Sequence, residues 1–121
     1  MGVRQALLHD ATEAYLVDLP KPIKNQFQEF QKAEAALWEV ISGVFNVPVE
    51  VHPWIKDIDG RMCTTEKMVL LSDFVSPAEW GEFIEKFPPY TGDSDIVDRY
   101  EIQPARARRR FMDLYDSVAE D

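Results

Sequence analysis

The chain has 121 residues, 45% of them hydrophobic with three Trp and seven Phe, enough apolar mass for one domain, since domains of roughly 100–150 residues are typical. A formal net charge of −9 excludes a general nucleic-acid binder, which needs a basic footprint, but not a nucleotide site whose field is reversed locally by a metal or a few basic groups. The lone cysteine, Cys63, excludes an internal disulfide and fits a reducing cytosol. No apolar run approaches the ~20 residues that span a bilayer, so a soluble, acidic, cytoplasmic chain is expected.

The first predicted helix starts within a few residues of Met1 and runs to about Val17, burying Leu7, Leu8, Ala11, Ala14 and Leu16. On it His9 and Asp10 stand side by side. Glu13 falls four residues after His9 and shares its face. Asp18 follows where Pro20 and Pro22 oppose helix, so that stretch is predicted extended or turning. One imidazole and three carboxylates in so short an apolar segment are poorly explained as a solvated face, because buried charges are paired or bind metal.

A second helix is predicted from about residue 25 to 44 on a stripe of Phe27, Phe30, Leu37, Ile41 and Val44 at the 3.6-residue period. Trp38 and Phe45 widen the stripe, and Asn46 and Pro48 stop it. Glu34 lies inside it and is expected to be a structural carboxylate paired with a lysine. Pro53 opens a third helix to about Leu71, with Ile55, Ile58, Met62 and Val69 inward and Asp59 adjoining. Ser76-Pro77-Ala78-Glu79 reads as a capping box that opens a short helix to about Phe87, with Trp80, Phe83 and Ile84 inward. Residues 88–102 read as loop. A last helix, from about 104 to 119, sets Ala107, Phe111, Leu114, Tyr115 and Val118 inward and Arg106, Arg108, Arg109 and Arg110 on a wet face. The expected class is all-α, a bundle of about five helices.

Nitrogen from one histidine and oxygens from several carboxylates suit a mid-series divalent ion such as Mn²⁺, Co²⁺, Fe²⁺ or Ni²⁺. The run ALLHDATEAYLVDLPKPIK at residues 6–24 resembles the HD-domain metal-dependent phosphohydrolases, in particular the small phage and bacterial branch related to the HD-type 5'-deoxynucleotidases. The resemblance extends to Ile55-Lys56-Asp57-Ile58-Asp59, to Thr65-Glu66, and to the ending from Ile102-Gln103-Pro104 to Phe111-Met112. It implies an HD-like helical bundle in which His9, Asp10 and Asp59 ligate a divalent metal (Mn, Co, Fe, Ni or Mg). Glu13 then orients or deprotonates the metal-bound water, and Asp18 lies near the substrate. Lys21 and Lys24 steady phosphate charge, Lys24 matching the family's lysine better. Read alone, Asp18 is equally a turn aspartate, and the two lysines are more often solvated ones.

One feature departs from that pattern. Family members carry a further metal-binding histidine on a helix upstream of the HD helix. The other histidine here, His52, stands just before Pro53, outside the core stripe. The expectation is a shortened HD domain, through a missing N-terminus or natural reduction, whose exposed apolar surface is covered in a homodimer. The expected activity is hydrolysis of nucleotides, deoxynucleoside 5'-monophosphates first, with no nucleic-acid polymer and no membrane as partner. A deoxynucleoside triphosphate triphosphohydrolase and a non-catalytic HD-like module binding a nucleotide or protein are the alternatives.

Overall fold

A computed structural model describes residues 2–71, 76–90 and 103–118, so most of the expected loop at 88–102 lies outside the described residues. Every regular element among them is helical: α1 (Val3–Leu8), a 3-10 turn (Ala11–Ala14), α2 (Lys21–Lys24), α3 (Gln28–Phe45), α4 (Pro53–Leu70), α5 (Pro77–Lys86) and α6 (Pro104–Ser117). The fold is all-α. None of the described helices is long and apolar enough to cross a membrane. The chain divides into two compact units, Met1–Val51 with Phe111–Asp121, and His52–Arg110.

In the first unit α3 is the spine. Ile41 and Ser42 are buried on its inner face, and the 3-10 turn and α2 pack against it. The apolar stripe differs from the expected one at both ends. Phe27 is the N-cap of α3 with non-helical backbone, so its ring leaves the stripe and is exposed. Val44 is exposed too, and so is Phe45, because the buried face of the helix is confined to Ile41 and Ser42. The helix ends on Asn46, whose left-handed backbone (φ 53°, ψ 48°) is a common helix stop. Gln5, almost fully buried, donates from Nε2 to the carbonyls of Pro48 and Glu50, both at 2.8 Å. This amide ties α1 to the segment after α3 and satisfies carbonyls that a hydrophobic residue would leave bare.

The expected first helix is broken. The α-helix stops at Leu8, Asp10 takes φ −99° and ψ 10°, and the chain tightens into the 3-10 turn. Of the residues expected to be buried there only Leu8 is, while Ala14 is exposed. Val17 then turns the chain at φ 75°, a left-handed conformation that crowds a β-branched side chain. Val17→Gly is expected to raise stability by about 1 kcal/mol, the left-handed penalty removed less the entropy that glycine adds to the unfolded chain. An unchanged or lower denaturation midpoint would count against that strain. Pro22 also departs from expectation by sitting inside α2. It is the second helical residue, where the missing N–H has no intrahelical partner to lose.

In the second unit α4 and α5 pack together, with Ile55, Thr64 and Thr65 buried on α4. Ile58 and Val69, expected inward, are about 40% exposed (41% and 39%). Aromatic contacts carry much of this unit. The Phe83 ring lies 5.6 Å from Trp80 and 5.0 Å from Phe87, and Lys67 Nζ lies 3.8 Å over the Trp80 ring. Arg61 stacks 4.0 Å over Tyr90 and donates to the Pro88 carbonyl. Thr65 Oγ1 accepts from the Tyr90 N–H at 3.0 Å. Gly60 is buried against Phe87 so closely that a Cβ there would overlap three carbons of the ring. Ser76 starts α5 without a side-chain cap bond, so the expected capping box is present in sequence and not in hydrogen bonding. Phe111 and Leu114 of α6, which belong to the first unit and were expected inward, are exposed. The expected wet face holds, with Arg106, Arg108, Arg109 and Arg110 all exposed.

Candidate metal and phosphate site

The break at Asp10 places the histidine. His9 is still helical, and its Nδ1 lies 2.7 Å from the Ala6 carbonyl. A carbonyl only accepts, so Nδ1 is the donor. That leaves Nε2 facing the Asp10 carboxylate, whose Oδ2 is 3.1 Å away. Anchoring one imidazole N–H on a backbone carbonyl is the usual way a metal-binding histidine is oriented, because it fixes the tautomer and strengthens the other nitrogen as a donor to the ion. A side-chain oxygen next to that nitrogen completes a mixed N/O donor pair. These two residues therefore fit a divalent ion.

Glu13, in the 3-10 turn, is half-buried. Burial pushes its carboxyl above the ordinary range; the charges of Asp10 and Asp18 push further, Lys24 pulls back, and Glu34 adds to the rise. Glu13 was expected one α-turn above His9. The tighter turn changes that register, and its charged neighbours are Asp10, Asp18, Lys24 and Glu34. Asp18 is exposed in the extended stretch, and Lys21 is exposed at the start of α2. Lys24, at the end of α2, reaches Glu34 on α3 at 3.1 Å. Glu34 is therefore the lysine-paired carboxylate expected from its place in the stripe. The same pair also brings its charge within reach of Glu13.

Asp59 lies on α4, in the second unit, and is exposed. Two turns along the same helix, burial and the charge of Asp59 raise the Glu66 carboxyl above its ordinary value, with Lys67 opposing. His52 is the N-cap of α4, where its Nδ1 accepts from the Trp54 N–H at 3.3 Å. Two residues of the first unit escaped sequence reading. Gln5 and Thr12, both buried, are polar, and the apolar pattern passes over them. A glutamine among helix core positions is the signal that would have found Gln5.

No family profile matches the chain, and no solved structure matches it. It is 27% identical, over 116 residues and 96% of its own length, to the uncharacterized protein YfdR of Escherichia coli (strain K12). The chain spans 61% of that relative's length.

Proposed function

We propose that this chain is an HD-type, metal-dependent phosphohydrolase acting on nucleotides, with deoxynucleoside 5'-monophosphates as the substrate class. The observation that carries the reading is the His9–Asp10 pair, its imidazole Nδ1 held by the Ala6 carbonyl and its Nε2 3.1 Å from a carboxylate oxygen. Asp59 is the third ligand on the strength of the sequence resemblance alone. When bound, a divalent ion supplies polarisation of the phosphoryl group and acidification of its water. His9 and Asp10 hold one side of it. Glu13 takes the proton from the attacking water, and its raised carboxyl suits it as a base, since proton acceptors work best near the operating pH. Asp18 lies near the substrate in this reading, while Lys21 and Lys24 offset phosphate charge. The products are orthophosphate and a deoxynucleoside.

A non-catalytic HD-like module is the second reading, favoured by Lys24 being held by Glu34 rather than open to a phosphate. Phosphate release from a panel of deoxynucleoside mono- and triphosphates, with Mn²⁺ or Co²⁺ and an Asp59→Ala control, separates the two. Orthophosphate from monophosphates, lost in the control, is the expected result. Inorganic triphosphate from the triphosphates would move the activity to a triphosphohydrolase. Thermal unfolding gives a second readout: at 100 times its dissociation constant the ion should add about 2.7 kcal/mol of stability, and His9→Ala should abolish that gain. No product and no metal-dependent shift would leave the module.

A further inference from the structure

We infer that the groove formed by residues 19–30 holds the nucleobase of the substrate, which extends the nucleotide reading above and rests on it. The groove is open to solvent, with a volume of about 630 Å³, within the range of roughly 300–1,000 Å³ of small-molecule sites. Ile23 and Phe27 line it, 46% and 55% exposed, with Phe30 beside them. The polar part of the lining is three carboxamides, Asn25, Gln26 and Gln28, with the carboxylate of Glu29. Phenyl faces stack on any base, and carboxamides offer both a donor and an acceptor to its edge. The apolar helix of a second copy would strip those three amides of water and give nothing back. A planar heterocycle meets both demands.

Lys24 connects the groove to the acid cluster. Its ammonium lies 5.9 Å from the centroid of Phe30, and its charge opposes the rise of the Glu13 carboxyl. Lys21 and Lys24 fall within the 19–30 segment that forms the groove, shortly after Glu13 and Asp18, so one short stretch of chain carries the acidic groups, the two lysines and the groove.

The test follows the side-chain amide signals of Asn25, Gln26 and Gln28 by NMR during titration with deoxynucleosides, and in parallel with 2-deoxyribose 5-phosphate, which has no base. Deoxynucleosides should shift these amides and the sugar phosphate should not. Phe27→Ala should weaken deoxynucleoside binding about tenfold, within the range for lost base–aromatic stacking, and Phe27→Tyr should restore it. In turnover, Phe27→Ala should raise KM for deoxynucleoside monophosphates by a similar factor and leave kcat/KM for the sugar phosphate unchanged. Gln28→Leu, at an exposed position, checks the groove should the alanine variant fold poorly, and should also weaken binding. Phe27-dependent deoxynucleoside binding without hydrolysis would keep the groove and remove the hydrolase. Hydrolysis with a KM indifferent to Phe27→Ala would overturn the groove and leave the hydrolase. A dimer dissociated by Phe27→Ala in light scattering would also overturn it, giving the surface to a second copy.

Discussion

In the proposed phosphohydrolase, replacing Glu13 by glutamine is expected to lower kcat for phosphate release by about 10²–10⁴-fold, the usual contribution of a positioned base, while stability rises slightly. The two effects share one cause. Burial and the negative charges of Asp10, Asp18 and Glu34 raise the Glu13 carboxyl above its ordinary value of 4.5, so the folded state holds its proton to higher pH than the unfolded state does. Wherever the native protein binds more protons, stability falls as pH rises. The favourable contribution is fully present below about 4.5 and is lost as pH climbs through the raised native value. Above that, the ionised carboxylate is a standing cost. Glutamine carries no charge at any pH. Its advantage should be absent in acid, open as pH rises past 4.5, and level off at a few tenths of a kcal/mol, the scale of like-charge pairs near a surface. Urea denaturation at a series of pH values without divalent metal reads it. An advantage that shrinks as pH rises would show that the repulsion has been misplaced.

Gly60→Ala should destabilise the protein by about 1–2 kcal/mol. Alanine in mid-helix ordinarily gains about 1 kcal/mol over glycine, and that gain is outweighed here. The new methyl would overlap the Phe87 ring, which is itself packed on Phe83 at 5.0 Å, and overpacking of this kind costs about 1–3 kcal/mol or more. A melting temperature lower by about 5 °C is the expected reading. Pairing it with Phe87→Leu should reverse the sign of the alanine's own effect, since the space opened by losing the ring lets the helix gain appear. A stabilised single variant would sink the packing account.

How far the sequence led depended on what kind of signal each part carried. The helix expected over 53–71 and the one over 104–119 match α4 and α6 within two residues, because proline at a first helical position and sustained periodicity are strong local signals. Glu34 with a lysine partner was legible from a charge inside an apolar stripe. The first helix was not legible as it stands. Its apolar spacing continues to Leu16, and nothing in that spacing marks Asp10 as the residue where α-helix becomes 3-10. Pro22 was set outside helix because proline is read as a breaker, although a helix's first turn accommodates it. Phe27 and Val44 were placed in the core on period alone, and the N-cap position of the one and the end of the buried face at the other moved both into solvent. For the site, residue types and spacing picked out His9, Asp10 and Glu13. The anchoring of His9 on Ala6 and the charge of Glu34 near Glu13 depend on backbone path and on the meeting of α2 with α3, neither of which composition records.

The Gln5 clasp has a consequence for how sequences of this kind can diverge. Its amide grips the backbone carbonyls of Pro48 and Glu50, which every residue possesses. Positions 48 and 50 are therefore free to change as far as this contact is concerned, while position 5 is held to a side chain of the right length with an N–H₂ group. Such an asymmetric bond leaves no paired substitutions behind it. Among related chains it would register only as one unvarying glutamine facing a variable segment, and this tie between α1 and the segment after α3 would be invisible to any search for positions that change together.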